Sequence, residues 1–109
     1  MKDFFDLLYL LESREFDGQK LSRAIAATFR RRKTALPHQT PTGLSHPFAE
    51  DLNKMAQWAA FLSKIGAEHS RSLLEVVEIL VTFLLPPTDA VRDGIPFDMH
   101  WEPGGPWRP

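Results

Sequence analysis

Apolar residues recur at helical spacing from the first residues of the chain. Phe4, Leu7, Leu8 and Leu11 stand at i, i+3, i+4 and i+7, one face of a helix, and Phe5 and Tyr9 make a second apolar row four residues apart. Two apolar faces on one helix imply burial on more than one side, with the Phe5–Tyr9 patch left for a second surface to cover. No Ser, Thr, Asn or Asp precedes Lys2 to cap the first amides, so Asp3 is the nearest candidate.

A second helix is predicted over 17–33. Asp17 is a good N-cap; Leu21, Ile25, Thr28 and Phe29 line one face beside Ala24. Residues 34–47 carry three prolines and a glycine and read as a loop. A third helix spans about 51–65, with Leu52, Met55, Ala59 and Leu62 as its stripe, Trp58 and Ile65 adjoining, and Gly66 as the C-cap. The fourth, about 72–85, opens on a Ser72–Glu75 capping box. It is apolar from Leu73 to Leu85 except for Glu75, Glu78 and Thr82, which marks it as the central helix.

Pro86 and Pro87 are expected to end or kink that helix, with a short further helix over Thr88–Asp93 closed by Gly94. Six of the nine prolines lie in 86–109, together with Trp101 and Trp107, so this tail is expected to dock on the helices. Phe97, Met99 and Trp101 alternate as in a short extended segment. The pattern predicts an all-α fold: a four-helix array with a Pro/Trp-rich tail, one helical domain over residues 1–109.

Composition narrows the class. The chain has 109 residues, 43% hydrophobic and 25% charged, an ordinary globular balance. Glu75 and Glu78 interrupt the longest apolar run, so no segment is suited to a bilayer, and no membrane partner is expected. No signal-peptide pattern is present. Cysteine is absent, which excludes disulfides, thiolate zinc sites and thiol catalysis and points to the cytoplasm. The net charge of −1 conceals an asymmetry: residues 1–33 hold eight Lys/Arg against five Asp/Glu, and residues 34–109 hold five against nine.

Chemistry has few places to sit. Asp3 and Asp6 share a helix face, and Lys2 reaches Asp6 one turn on. A lysine with two carboxylates suits a nucleotide–metal site, where the ammonium offsets triphosphate charge. The plainer account is a solvated first turn, where the helix dipole favours acids. The run Arg30, Arg31, Arg32 and Lys33 suits either RNA phosphates or the negative end of a helix dipole. Four consecutive residues point all round a helix, which favours the dipole. Histidines 38, 46, 69 and 100 are scattered and read as neutral surface residues, with no metal-ligand spacing. No serine lies in a nucleophile elbow, and no P-loop, G-x-G-x-x-G or H-E-x-x-H is present.

The segment KDFFDL (Lys2–Leu7) resembles the AbiEii/AbiGii-type nucleotidyltransferase toxins, which carry a lysine–aspartate pair, two apolar or aromatic residues and an aspartate at the start of a late helix. The resemblance continues in order through Phe16-Asp17, Ala24-Ile25, Thr28-Phe29, RRKTALP (Arg32–Pro37), Phe48, Gln57-Trp58, Phe61-Leu62, Phe83-Leu84, Pro86, and Trp101 with Gly104-Gly105-Pro106-Trp107. It implies the C-terminal helical portion of a nucleotidyltransferase of toxin–antitoxin and phage-defence type. The family's polymerase-β-like core, with a glycine–serine turn and a metal-binding aspartate pair, has no counterpart in these residues. The resemblance therefore implies a chain inactive by itself that completes a missing N-terminal core.

By the same resemblance, Lys2 contacts nucleotide phosphates, Asp3 orients Lys2 or assists the metal site, and Asp6 braces both. The complete enzyme would use Mg2+, a nucleoside triphosphate and an RNA acceptor, and would face an antitoxin encoded alongside; no metal is expected in this chain alone. The alternative is a non-catalytic helical module that binds a partner or itself through Phe5 and Tyr9.

Overall fold

Helix α5 (Leu73–Asp93) is the axis of the fold, and its burial follows from its sequence. Leu73, Val76, Val77, Leu80 and Phe83 are all buried, while Glu75, Glu78 and Thr82 face solvent. The computed structural model describes residues 1–37 and 39–109; His38, read above as a neutral surface residue, lies outside the described residues.

Around this axis run α1 (Lys2–Ser13), strand β1 (Phe16–Asp17), α2 (Gly18–Arg31), a 3₁₀ turn (Thr42–Leu44), α3 (His46–Glu50), α4 (Leu52–Lys64) and strands β2 (His100–Trp101) and β3 (Trp107–Arg108). Leu8 and Leu11 bring α1 into the core, and Leu21 of α2 packs against it. The architecture is mostly helical, as the pattern predicts. Local signals set most helix ends. Asp17 accepts from the Lys20 amide, and Ser72 and Glu75 form the capping box. Gly66, at φ 74°, follows the last turn of α4, with Ala67 N–H bonded to Leu62 O at 2.8 Å. At α1, Met1 is the N-cap and no side chain caps it, so Asp3 does not serve.

Four expectations need correction. The segment 34–47 is not all loop: Ser45 accepts from the Phe48 amide and Pro47 sits in the first turn of α3, where its missing N–H costs nothing. The helix predicted to stop at 85 continues to Asp93, with Pro86 and Pro87 inside it. The stripe of α4 is also different. Trp58 and Leu62 are buried, whereas Leu52, Met55 and Ile65 are 81%, 46% and 46% exposed, and Ala59 is exposed. Aromatic packing decides this: Phe5 of α1 meets both Trp58 and Phe61 at centroid distances of 6.5 and 5.7 Å. Phe5 is therefore half-buried against α4, and of the Phe5–Tyr9 patch only Tyr9 is left exposed, at 63%.

A small antiparallel sheet in the order β1-β2-β3 pairs Phe16 with Trp101 and Trp101 with Trp107. Each tryptophan fixes a backbone carbonyl through its indole N–H. Trp58 donates to Arg71 O at 2.8 Å, Trp101 to Leu11 O at 2.8 Å and Trp107 to Phe83 O at 3.0 Å. Gly104 N–H joins Trp101 on Leu11 O, near the C-terminal end of α1. Residues 100–108 thereby close over α1 and α5, with Trp101 1% exposed.

Candidate functional site

The first turns of α1 gather Lys2, Asp3 and Asp6. Lys2 Nζ lies 2.6 Å from Asp6 Oδ2, an i,i+4 pair on the helix surface. Both side chains stay open to solvent, at 77% and 50% exposure. The hydrogen bond to Asp6, and then the Asp6 charge, raise the Lys2 pKa above its ordinary value; Asp3 adds a smaller push in the same direction. Asp3 is exposed in the first turn, where its charge also suits the positive end of the helix dipole.

The arrangement presents an ammonium, paired with one carboxylate, on an exposed helix end. It does not by itself hold a divalent metal. Magnesium takes near-octahedral oxygen ligands, and no three His, Asp or Glu side chains converge among the described residues. One Asp6 oxygen is already engaged by Lys2.

The basic run lies elsewhere, and no ion pair joins it to the Lys2 group among the described residues. Arg30 and Arg31 occupy the last turn of α2, Arg32 is its C-cap, and all four cations are exposed. Lys33 takes φ 53°, the left-handed conformation, and Thr34 N–H closes onto Phe29 O at 3.0 Å. The run therefore does not wind round a regular helix.

Two histidines acquire carboxylate neighbours invisible to spacing: His46 lies 3.5 Å from Glu78 and His100 lies 3.7 Å from Glu15. Each is a pair, short of a metal site. The structure also opens a cleft of about 480 Å³ between α4 and the start of α5, with Met55, Trp58, Leu62 and Leu73 below and Arg71 and Glu68 at its edge. Trp58 with Leu62 at i+4 was the available signal. The most informative residues outside the sequence reading are Lys20 and Arg23, exposed on α2 ahead of the basic run.

A family model described as "Nucleotidyl transferase AbiEii toxin, Type IV TA system" matches residues 1–91, which include α1 to α4, most of α5, the Lys2–Asp6 pair and the basic run. The match ends before Trp101 and Trp107. No curated protein matches, and no solved structure matches.

Proposed function

This chain belongs to the AbiEii nucleotidyl transferase toxin family, and from that premise we propose that it is the helical portion of a toxin–antitoxin, phage-defence nucleotidyltransferase, active only with a polymerase-β-like core. The observation that carries the reading is the Lys2–Asp6 pair at 2.6 Å on an exposed helix end, within the matched region. Lys2 meets the triphosphate, where one fixed ammonium offsets charge that develops during transfer. Asp6 holds that ammonium in place through the hydrogen bond, and Asp3 adds a weaker attraction.

The core supplies the carboxylates for Mg2+, because the donors among the described residues do not assemble a site. RNA is the acceptor, an antitoxin encoded alongside is the partner, and the setting is the cytoplasm. Among the described residues no helix is long and apolar enough to cross a membrane.

The test is transfer of a labelled nucleotide to total RNA, run on this chain alone and with a supplied core. The reading expects transfer in the second reaction only. Transfer by the chain unaided sinks it.

The exposed apolar residues of α4 favour a second reading, a non-catalytic module that binds a partner or itself. Leu52, at 81% exposure, lies with Met55 and Ala59 on the face turned away from the core. Sedimentation of the isolated chain decides it: concentration-dependent association that Leu52→Glu abolishes supports this reading, and a monomer at all concentrations excludes self-association.

A further inference from the structure

From Gly18 to Ala49 the chain carries six Lys/Arg and not one Asp or Glu. The structure turns that bias into a surface. At 100° per residue, Lys20, Arg23, Ala24, Ala27, Arg30 and Arg31 fall within an arc of about 120° on α2. All six are exposed, while Leu21, Ile25 and Phe29 turn to the other side and are half-buried. Lys20 and Arg31 are about 16 Å apart along the axis, from a rise of about 1.5 Å per residue. Arg32 and Lys33 extend the row past the helix end.

Three of the cations elsewhere are matched with carboxylates. Lys2 pairs with Asp6, Arg71 with Glu12 and Glu75, and Arg92 with Asp89 and Asp93. None of the six on and beyond α2 has an ion pair among the described residues; Arg23 has a hydrogen bond to the Gln19 side chain at 3.4 Å. The helix dipole explains only part of the row. It favours Arg30 and Arg31 in the last turn but disfavours Lys20 in the first, where α2 has no acidic residue. Lys33 stands in a left-handed conformation that glycine would take more easily.

We propose that this face of α2 is a binding surface for the phosphodiester backbone of a nucleic acid. The stripe has no large apolar anchor, since only Ala24 and Ala27 lie between the cations. Protein interfaces are built on such anchors, whereas backbone binding needs cations alone and carries no sequence preference. The proposal rests on the transferase reading only for the role of the bound strand as acceptor. The binding itself is measured without transfer, so the two readings fail separately.

The test is fluorescence anisotropy of the full chain with a short labelled single-stranded RNA and the DNA of the same sequence, across a salt series. Six phosphate contacts to a single strand give a slope of log K against log salt of about −4, at ~0.7 per contact. K20Q/R23Q and R30Q/R31Q should each flatten the slope by about 1.4, at the same ~0.7 per contact. K64Q, on an exposed cation remote from α2 in sequence, should leave it unchanged. Circular dichroism checks that each variant stays folded, which exposed sites in a helix permit. Binding of both strands marks a general backbone surface; preference for RNA adds a ribose contact to it. No binding at low salt, variant slopes equal to the parent's, or equal loss in K64Q overturns the proposal. So does tighter binding of polyglutamate than of either nucleic acid, which would make the partner an acidic protein.

Discussion

The indole N–H of Trp107 donates to the Phe83 carbonyl at 3.0 Å, the acceptor that Pro87, four residues on, cannot serve. A proline inside a helix removes one i→i−4 bond and leaves that carbonyl without its usual donor. Here a residue 24 positions away supplies the missing donor. The ring also stacks on Phe83, at 5.6 Å and 8°.

Trp107→Phe should therefore destabilise the chain more than the lost ring area suggests. It keeps an aromatic face but orphans a carbonyl, which costs about 1–3 kcal/mol. In a chain of this size each kcal/mol moves the midpoint by about 4–8 °C. Pro87→Ala restores a helical donor to the same carbonyl, so the double variant should lose less than the sum of the two singles. Strict additivity in a thermal double-mutant cycle would show that the two residues do not share this acceptor.

Gly18 marks a close approach of α2 to residues 97–99. A Cβ there would lie 2.6 Å from the Phe97 ring and 2.7 Å from Met99 O, and the Gly18 amide already donates to Met99 O at 2.7 Å. Gly18→Ala must push residues 97–99 away and should cost about 1–3 kcal/mol. Gly43 has nothing within 4 Å of its Cβ position, so Gly43→Ala is the control and should melt close to the parent.

Val77 and Leu80 are fully buried on α5. Val77→Asp or Leu80→Asp places an unpaired carboxylate among apolar side chains and should unfold the chain, since the penalty runs to several kcal/mol. Leu80→Ala is the graded version, expected to cost about 2–5 kcal/mol. Near-parental melting of either aspartate variant would remove α5 from the centre of the fold.

Features governed by neighbours along the chain were legible in the sequence. Asp17, Gly66 and the Ser72–Glu75 box act within one turn, so residue type and spacing were enough. Lys2 and Asp6 were legible for the same reason. Pro86 and Pro87 misled because the donor that compensates for one of them comes from Trp107, across the fold. On α4, two apolar stripes competed, and periodicity could not choose. Trp58 and Leu62 were buried because Phe5 of another helix packs against Trp58 and Phe61. The basic face of α2 was half visible. The run 30–33 drew attention by adjacency, while Lys20 and Arg23 join Arg30 and Arg31 on one side only when the helical angle is followed along the whole of α2.

Lys33 carries a backbone cost that its side chain does not relieve among the described contacts. At φ 53° it stands where glycine usually closes a helix. Lys33→Gly should raise stability by about 1 kcal/mol, the order of the left-handed penalty for a residue with a Cβ. The same change should weaken nucleic-acid binding, because it removes one cation from the row. A melt that falls instead of rising would mean the lysine side chain holds the turn.

The Lys2–Asp6 pair gives the last expectation, and its sign is fixed by the direction of the Lys2 shift. Asp6 raises the Lys2 pKa above its ordinary 10.5. The pair's contribution to the fold is complete below that value and disappears as pH climbs through the raised one. At neutral pH Lys2 is charged with or without Asp6, and the pair is solvent-exposed, so Asp6→Asn should scarcely move the melting midpoint. It should return the Lys2 pKa toward 10.5, which NMR titration of the Lys2 Cε protons reads directly. In the complete transferase the two residues should separate. Lys2→Ala removes the ammonium and should lower transfer about a hundredfold or more, as loss of one electrostatic donor does. Asp6→Asn leaves the charge but frees its position, so its loss should be smaller. Full transfer by Lys2→Ala would show that this ammonium does not meet the nucleotide.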